Sequence, residues 1–228
     1  MCHHLRNFSK LLNRQCVEVQ RMFKESGLNT CILKGQGVAS YYNPNLILSR
    51  QSGDIDIWVD STWRDVMDFV NARTPNREFD MKHTHFELYP DTTVEVHWWP
   101  SMPKNPFFRK ALQKYYNEQS LIQCKHMVTL KDGNVIYAPD AKFEAVHVLL
   151  YHIFNHFLYE GIGLRQMLDL YFVLVNGEMT DEDRKWSIYI KGSVFLLSRL
   201  PPCGFYVKCS EWMRNTVSER RMRLLDGR

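Results

Sequence analysis

What the sequence lacks narrows it first. No run is apolar over the roughly 18 residues that a membrane-crossing helix needs, so a membrane is not expected as a partner. The start, Met1-Cys2-His3-His4-Leu5-Arg6, lacks the basic-then-apolar run of a secretion signal, and a cytoplasmic location is the default expectation. The six cysteines (Cys2, Cys16, Cys31, Cys124, Cys203 and Cys209) contain no Cys-x-x-Cys pair. Zinc-ribbon and thioredoxin-like readings therefore have no support, and reduced thiols are expected. No His-Glu-x-x-His signature is present. The net charge of +4 is mild and the basic residues are scattered, so no concentrated nucleic-acid footprint stands out.

What is there is enough to build a substantial core: 228 residues at 45% hydrophobic content. The most informative stretch is Gly53-Asp54-Ile55-Asp56-Ile57-Trp58-Val59. Strand alternation puts Asp54 and Asp56 on one face and Ile55, Ile57 and Val59 on the other. Carboxylates two apart on a strand, roughly 6–7 Å from each other, can share a pair of divalent cations about 4 Å apart, the arrangement of two-metal phosphoryl transfer. Asp-x-Asp also occurs on the solvent face of ordinary edge strands, so neighbouring segments must decide.

Upstream, Cys31-Ile32-Leu33-Lys34-Gly35-Gln36-Gly37-Val38-Ala39 reads as a short strand, a glycine turn and a helix start. Such a turn suits phosphate, with Lys34 as a point charge, but it is also a plain strand-to-helix connection with an exposed lysine. Downstream, Phe86 to Trp98 reads as two strands joined by a polar turn, with Glu95 and His97 on one face. Glu95 is either the third carboxylate of a two-metal site or half of a cross-strand polar pair. His83 and His85 also share a strand face.

In this order the pieces resemble the nucleotidyltransferase superfamily built on a polymerase-beta-like palm. More closely, four motifs are similar to a bacterial family called uncharacterised nucleotidyltransferases. These are Leu33-Lys34-Gly35, Arg50 before Gly53-Asp54-Ile55-Asp56, Val94-Glu95-Val96-His97-Trp98, and Gly161-Ile162-Gly163-Leu164-Arg165-Gln166-Met167-Leu168-Asp169-Leu170. The similarity runs over roughly residues 25 to 175, and four ordered motifs are far more specific than one.

The resemblance implies an α+β fold: a nucleotidyltransferase palm, a mixed sheet with flanking helices, followed by a helical C-terminal region. It also implies transfer of a nucleoside monophosphate from a nucleoside triphosphate, with Mg²⁺ or Mn²⁺. The acceptor, whether small molecule, protein or nucleic acid, is left open. Carried over to this chain, Asp54, Asp56 and Glu95 would be the catalytic and metal-binding carboxylates. Lys34, Gly35, Gln36, Arg50 and Gly53 would surround the nucleotide, and His97, His152 and Arg165 are further candidates for substrate contact. One departure is visible: the superfamily commonly carries Gly-Ser or Gly-Gly in the turn, where this chain has Gly35-Gln36.

Apolar positions Leu5, Phe8, Leu11, Leu12, Val17 and Met22 predict an amphipathic helix over residues 5–25, stopping near Ser26-Gly27. A second helix over Trp63–Ala72 is introduced by the capping residues Asp60-Ser61-Thr62. Prolines 100, 103 and 106 and then a helical pattern over Phe107–Tyr116 read as a connection leaving the palm. Two further helices are expected over Phe143–Leu158 and Leu164–Val175. His152 and His156 share a face of the first, as a buried pair or as ligands, and Arg165 and Asp169 form an i,i+4 pair on the second. The domain reading is a palm with its N-terminal helix over 1–122, a helical region over 123–184, and a divergent tail over 185–228, truncated or frame-shifted.

Three functional classes follow. An active nucleotidyltransferase requires Asp54, Asp56 and Glu95 to converge beside the Gly35 turn. A catalytically degenerate palm, serving as a binding or toxin–antitoxin-type module, requires the fold without that convergence. A metal-dependent hydrolase requires the convergence and no acceptor. Relief of carboxylate repulsion is expected to let Asp54→Asn and Asp56→Asn fold normally.

Overall fold

The computed structural model describes residues 2–43, 46, 50, 53–74, 79–102, 106–145, 148, 152–153, 163–181 and 183. The chain divides into two compact units, 1–176 and 177–228. In the second unit the described residues are 177–181 and 183. There Asp183 N donates to Thr180 Oγ1 at 3.0 Å and the Asp183 carboxylate accepts from Thr180 N, a helix-start cap. The expected tail over 185–228 lies outside the described residues.

In the first unit, α1 (Cys2–Glu25) leads into β1 (Thr30–Leu33), a one-and-a-half-turn α2 (Gly35–Ala39), β2 (Asp54–Val59) and α3 (Trp63–Asn71). Then come β3 (His83–Phe86), β4 (Thr93–His97) and α4 (Pro106–Gln123). A hairpin of β5 (Met127–Thr129) and β6 (Val135–Tyr137), the short α5 (Ala141–Phe143) and α6 (Leu164–Asn176) complete it. The main sheet has strand order β1-β2-β4-β3. β1 is antiparallel to β2, β2 parallel to β4, and β4 antiparallel to β3, so the sheet is mixed as expected.

Alternation along these strands makes two unlike faces. One carries Ile32, Ile55, Ile57, Val59, Val94, Val96 and Phe86, buried against α1 and α3. α1 delivers Leu12, Cys16, Val19 and Phe23, spaced 4, 3 and 4 apart as a helical stripe must be, while Val17 and Met22 pack at its margin. Phe23 stacks on Phe69 of α3 with ring centroids 4.0 Å apart. The start of α3 is fixed by Thr62, whose hydroxyl accepts from Asp65 N while the Asp65 carboxylate accepts from Thr62 N, a capping box.

The other face is divided across the strands. On β1 and the end of β2, Cys31, Leu33 and Trp58 pack with Tyr116, Cys124, Phe143 and Val148, and Trp58 stacks on Phe143 at 5.5 Å. The start of β2 and the strands β4 and β3 carry Asp54, Asp56, Glu95, His97, His83 and His85 on the same face. The apolar half dries and anchors the sheet; the polar half is left for chemistry.

Two expectations change. The helix after Pro106 does not leave the palm: it runs to Gln123 and buries Tyr116 against Trp58. After α4, residues 127–137 form a hairpin where a helical region was expected. Ile136 and Ala138 join the main core, and Gln20 of α1 grips Tyr137 by exchanging hydrogen bonds with its backbone, so the hairpin packs with the palm. The expected helix over Phe143–Leu158 lies largely outside the described residues, as does His156.

Candidate active site

Register brings the acidic motifs together. In the parallel β2–β4 pair Asp56 stands opposite Glu95 and Trp58 opposite His97, and in β4–β3 Glu95 stands opposite His85 and His97 opposite His83. Residues from separate motifs, about forty positions apart between Asp56 and Glu95, thus become lateral neighbours on one face.

Asp56 is buried and doubly bound. Lys34 Nζ donates to its Oδ1 at 2.8 Å, and His97 Nε2 lies 3.1 Å from the same oxygen and 3.4 Å from Glu95 Oε2. With two carboxylates as acceptors, the Nε2 nitrogen of His97 carries the proton. Burial would raise the Asp56 carboxyl, but the Lys34 charge and the His97 hydrogen bond outweigh it and hold Asp56 well below the usual carboxylate range. Glu95, half-buried, is likewise lowered, first by its hydrogen bond with His97, against burial and the Asp56 charge. Asp54 is exposed at the rim of the strand and goes the other way. Desolvation by surrounding protein and repulsion from Asp56 raise it. Burial would lower Lys34, yet Asp56, then Asp54 and Glu95, raise it, so one ammonium faces all three carboxylates.

The turn that delivers Lys34 is strained. Lys34 has φ 52° and ψ −140°, outside the regions open to most L-residues, and such a conformation costs on the order of 1–3 kcal/mol. Its N–H is held by Glu144 Oε1 at 3.0 Å. Gly35 follows with φ 39°, and at Gly37 a Cβ would stand 3.0 Å from Ile32 O and 3.1 Å from Ala138 Cβ, so a side chain there would press α2 against β1 and the hairpin. Glu144 itself is buried, with Oε2 lacking a hydrogen-bond partner among the described residues. Burial pushes its carboxyl up to about 8.

Among the described residues two groups have ligand atoms close enough to hold one metal ion: Asp56 with Glu95 and His97, and Glu95 with His83 and His85, the atoms in each lying within 4.8 Å of one another. Asp54 belongs to neither group and flanks them on the same face. The donor chemistry fits a divalent cation, since three carboxylates converge on a single counter-charge.

A sequence profile of the family described as uncharacterised nucleotidyltransferases matches residues 2–192. The chain belongs to that family. Among solved structures, an antigenic nucleotidyltransferase-like protein from Paracoccidioides brasiliensis aligns at 12% identity over 88% of this chain and 92% of that one, with a TM-score of 0.44. No curated protein matches the chain.

For this nucleotidyltransferase-family chain the remaining candidate residues divide clearly. Lys34 and Gly35 stand beside the carboxylates, and Gly53 precedes β2 with open space, among the described residues, where a Cβ would stand. Gln36 turns to α1, where its amide donates to Asn13 Oδ1 and to Ser9 O. Arg50 is engaged by Asp169 of α6 through a bidentate pair at 2.8 and 2.9 Å, and Tyr42 OH donates to the same carboxylate at 2.6 Å. Asp169 is therefore a tertiary clamp where its spacing suggested a pair with Arg165. Arg165 is exposed on α6 and His152 half-buried. His97, weighed as a substrate contact, lies buried beneath Asp56 and Glu95 and positions them. Sequence reasoning missed Glu144, which carried no motif, and the partnership of Arg50 with Asp169, which joins residues 119 positions apart.

Proposed function

We propose that this protein transfers a nucleoside monophosphate from a nucleoside triphosphate to an acceptor hydroxyl or amine, with pyrophosphate leaving. The observation that carries the reading is the convergence of Asp54, Asp56 and Glu95 on one sheet face around the Lys34 ammonium, beside the Gly35 turn. Mg²⁺ or Mn²⁺ would be held by these carboxylates, and when bound supplies charge neutralisation for the phosphates and for the attacking oxygen.

The chain's own residues do the positioning. Asp56 and Glu95 are fixed by one His97 nitrogen, so their oxygens are pre-oriented and not free to rotate away. Lys34 adds a positive charge that stays protonated, suited to the charge that builds on the phosphoryl oxygens. The strained turn keeps that lysine aimed across the sheet face, and Glu144 braces it from behind. Glu95, half-buried where Asp56 is covered, would orient the acceptor hydroxyl.

The test is calorimetric titration of the full chain with each of the four nucleoside triphosphates, with and without Mg²⁺, for the parent and Asp54→Asn. Binding that needs both the cation and Asp54 supports the reading. No binding to any of the four overturns it and leaves the degenerate palm.

A further inference from the structure

We propose that His83, His85 and Glu95 form a site for a transition-metal dication of the zinc class, separate from the Asp54–Asp56 pair and meeting it at Glu95. The inference goes beyond nucleotidyl transfer and does not require it.

The three side chains rise from one face of the antiparallel β3–β4 pair: His85 directly opposite Glu95, and His83 on its diagonal. All three are half-buried, and their ligand atoms lie within 4.8 Å of one another. The spacing is wrong for hydrogen bonding and right for sharing an ion. His83 Nε2 stands 3.9 Å from Glu95 Oε2, beyond a hydrogen bond. Two donors each about 2.1 Å from a tetrahedral ion are roughly 3.4 Å apart, so a closure of about half an ångström seats both on one cation.

The far side of His83 supports the same reading. Its Nδ1 is buried without a hydrogen-bond partner among the described residues, and the carboxylate of Asp80 lies 3.8 Å away. A histidine that binds metal through one nitrogen usually presents the other to a carboxylate that fixes the ring, and Asp80 stands where that partner belongs.

Two imidazoles and one carboxylate select a borderline dication over Mg²⁺, which prefers oxygen ligands. Three protein ligands, none fully buried, leave at least one coordination position open, the pattern of a catalytic or exchangeable site and not of a closed structural one. Glu95 Oε2 lies near both His83 and His97, so this carboxylate joins the proposed cation site to the acidic cluster.

The experiment is titration of metal-free full-length protein with Zn²⁺, followed by calorimetry and by NMR of the histidine rings. The parent is expected to bind one equivalent, with the ring signals of His83 and His85 shifting on addition of Zn²⁺ and not of Mg²⁺. His83→Gln and His85→Gln should each weaken that binding by at least the roughly tenfold that loss of an outer-shell partner costs. Asp54→Asn should retain Zn²⁺ uptake, so failure of nucleotide binding and failure of this site are read separately. No uptake, uptake that survives both histidine substitutions, or uptake without movement of these two rings overturns the proposal.

Discussion

Asp56 and Glu95 face each other across the parallel β2–β4 pair, and a single nitrogen, His97 Nε2, reaches both, at 3.1 Å and 3.4 Å. That link separates the two aspartates of the Asp-x-Asp strand. Asp56 is the buried anchor of Lys34 and His97; Asp54 is exposed and repelled by its neighbour. The two replacements are therefore unequal, contrary to the expectation from repulsion alone. Asp56→Asn leaves the largely buried Lys34 ammonium with a neutral partner and should cost about 3 kcal/mol. Asp54→Asn should leave stability unchanged or slightly raised. Urea unfolding of both variants checks the difference, and equal costs would sink it.

Glu144 sets a pH dependence with a definite sign. Its folded-state carboxyl is raised from 4.5 to about 8, so between those values the folded chain holds a proton that the unfolded chain has released. Stability from this group thus falls as pH rises through that window, by on the order of a few kcal/mol across its full width. Glu144→Gln keeps an oxygen for the Lys34 N–H and removes the titration. Its advantage over the parent should be absent near pH 4 and grow towards pH 8, as measured by urea unfolding at a series of pH values.

The clamp between Arg50 and Asp169 gives a third test. Both side chains are nearly fully buried, and Asp169→Ala takes the carboxylate away from the buried guanidinium, which should cost about 3–5 kcal/mol. Arg165→Ala, on the exposed side of α6, should cost less than about 0.5 kcal/mol. Comparable losses for the two would restore the intrahelical pairing and remove the clamp.

The strand motifs were legible because period-two alternation is local. Asp54, Asp56, Glu95, His97, His83 and His85 each declare their face from two residues either side, and the sheet needs only the register to unite them. Of the buried line of α1 only Leu12 was legible; Cys16, Val19 and Phe23 complete it, and the expected positions Val17 and Met22 pack at its margin, because a cysteine does not stand out as apolar. The partners of Gln36 and Arg50 were not legible for another reason. A motif position says which turn or loop a residue occupies, and only the packed fold says that Asn13 or Asp169 takes its side chain first.

Gly37 marks the closest approach of α2 to the sheet. A methyl group there would press on Ile32 O at 3.0 Å and Ala138 Cβ at 3.1 Å, neither of which is the end of a flexible side chain. Gly37→Ala should therefore destabilise by about 1–3 kcal/mol, against the gain of up to about 1 kcal/mol that Gly→Ala gives in an open helix. Thermal unfolding decides the sign; a stabilised variant would mean that the hairpin sits farther from α2.

Lys34 and a divalent cation answer to the same carboxylates, and this gives the sharpest test of the site. In the free protein the ammonium bonds Asp56 at 2.8 Å and is drawn by Asp54 and Glu95 as well. Lys34→Met removes that counter-charge, so the bare variant should be less stable than the parent. The same change leaves three unneutralised carboxylates. A unit charge about 4 Å away at the effective dielectric of a protein surface is worth up to about 4 kcal/mol, and a part of that, about tenfold in affinity, should pass to Mg²⁺. Mg²⁺ should therefore raise the melting temperature of Lys34→Met more than that of the parent. A Mg²⁺ shift no larger than the parent's would show that the cation binds elsewhere, and the assignment of Asp54, Asp56 and Glu95 would fall with it.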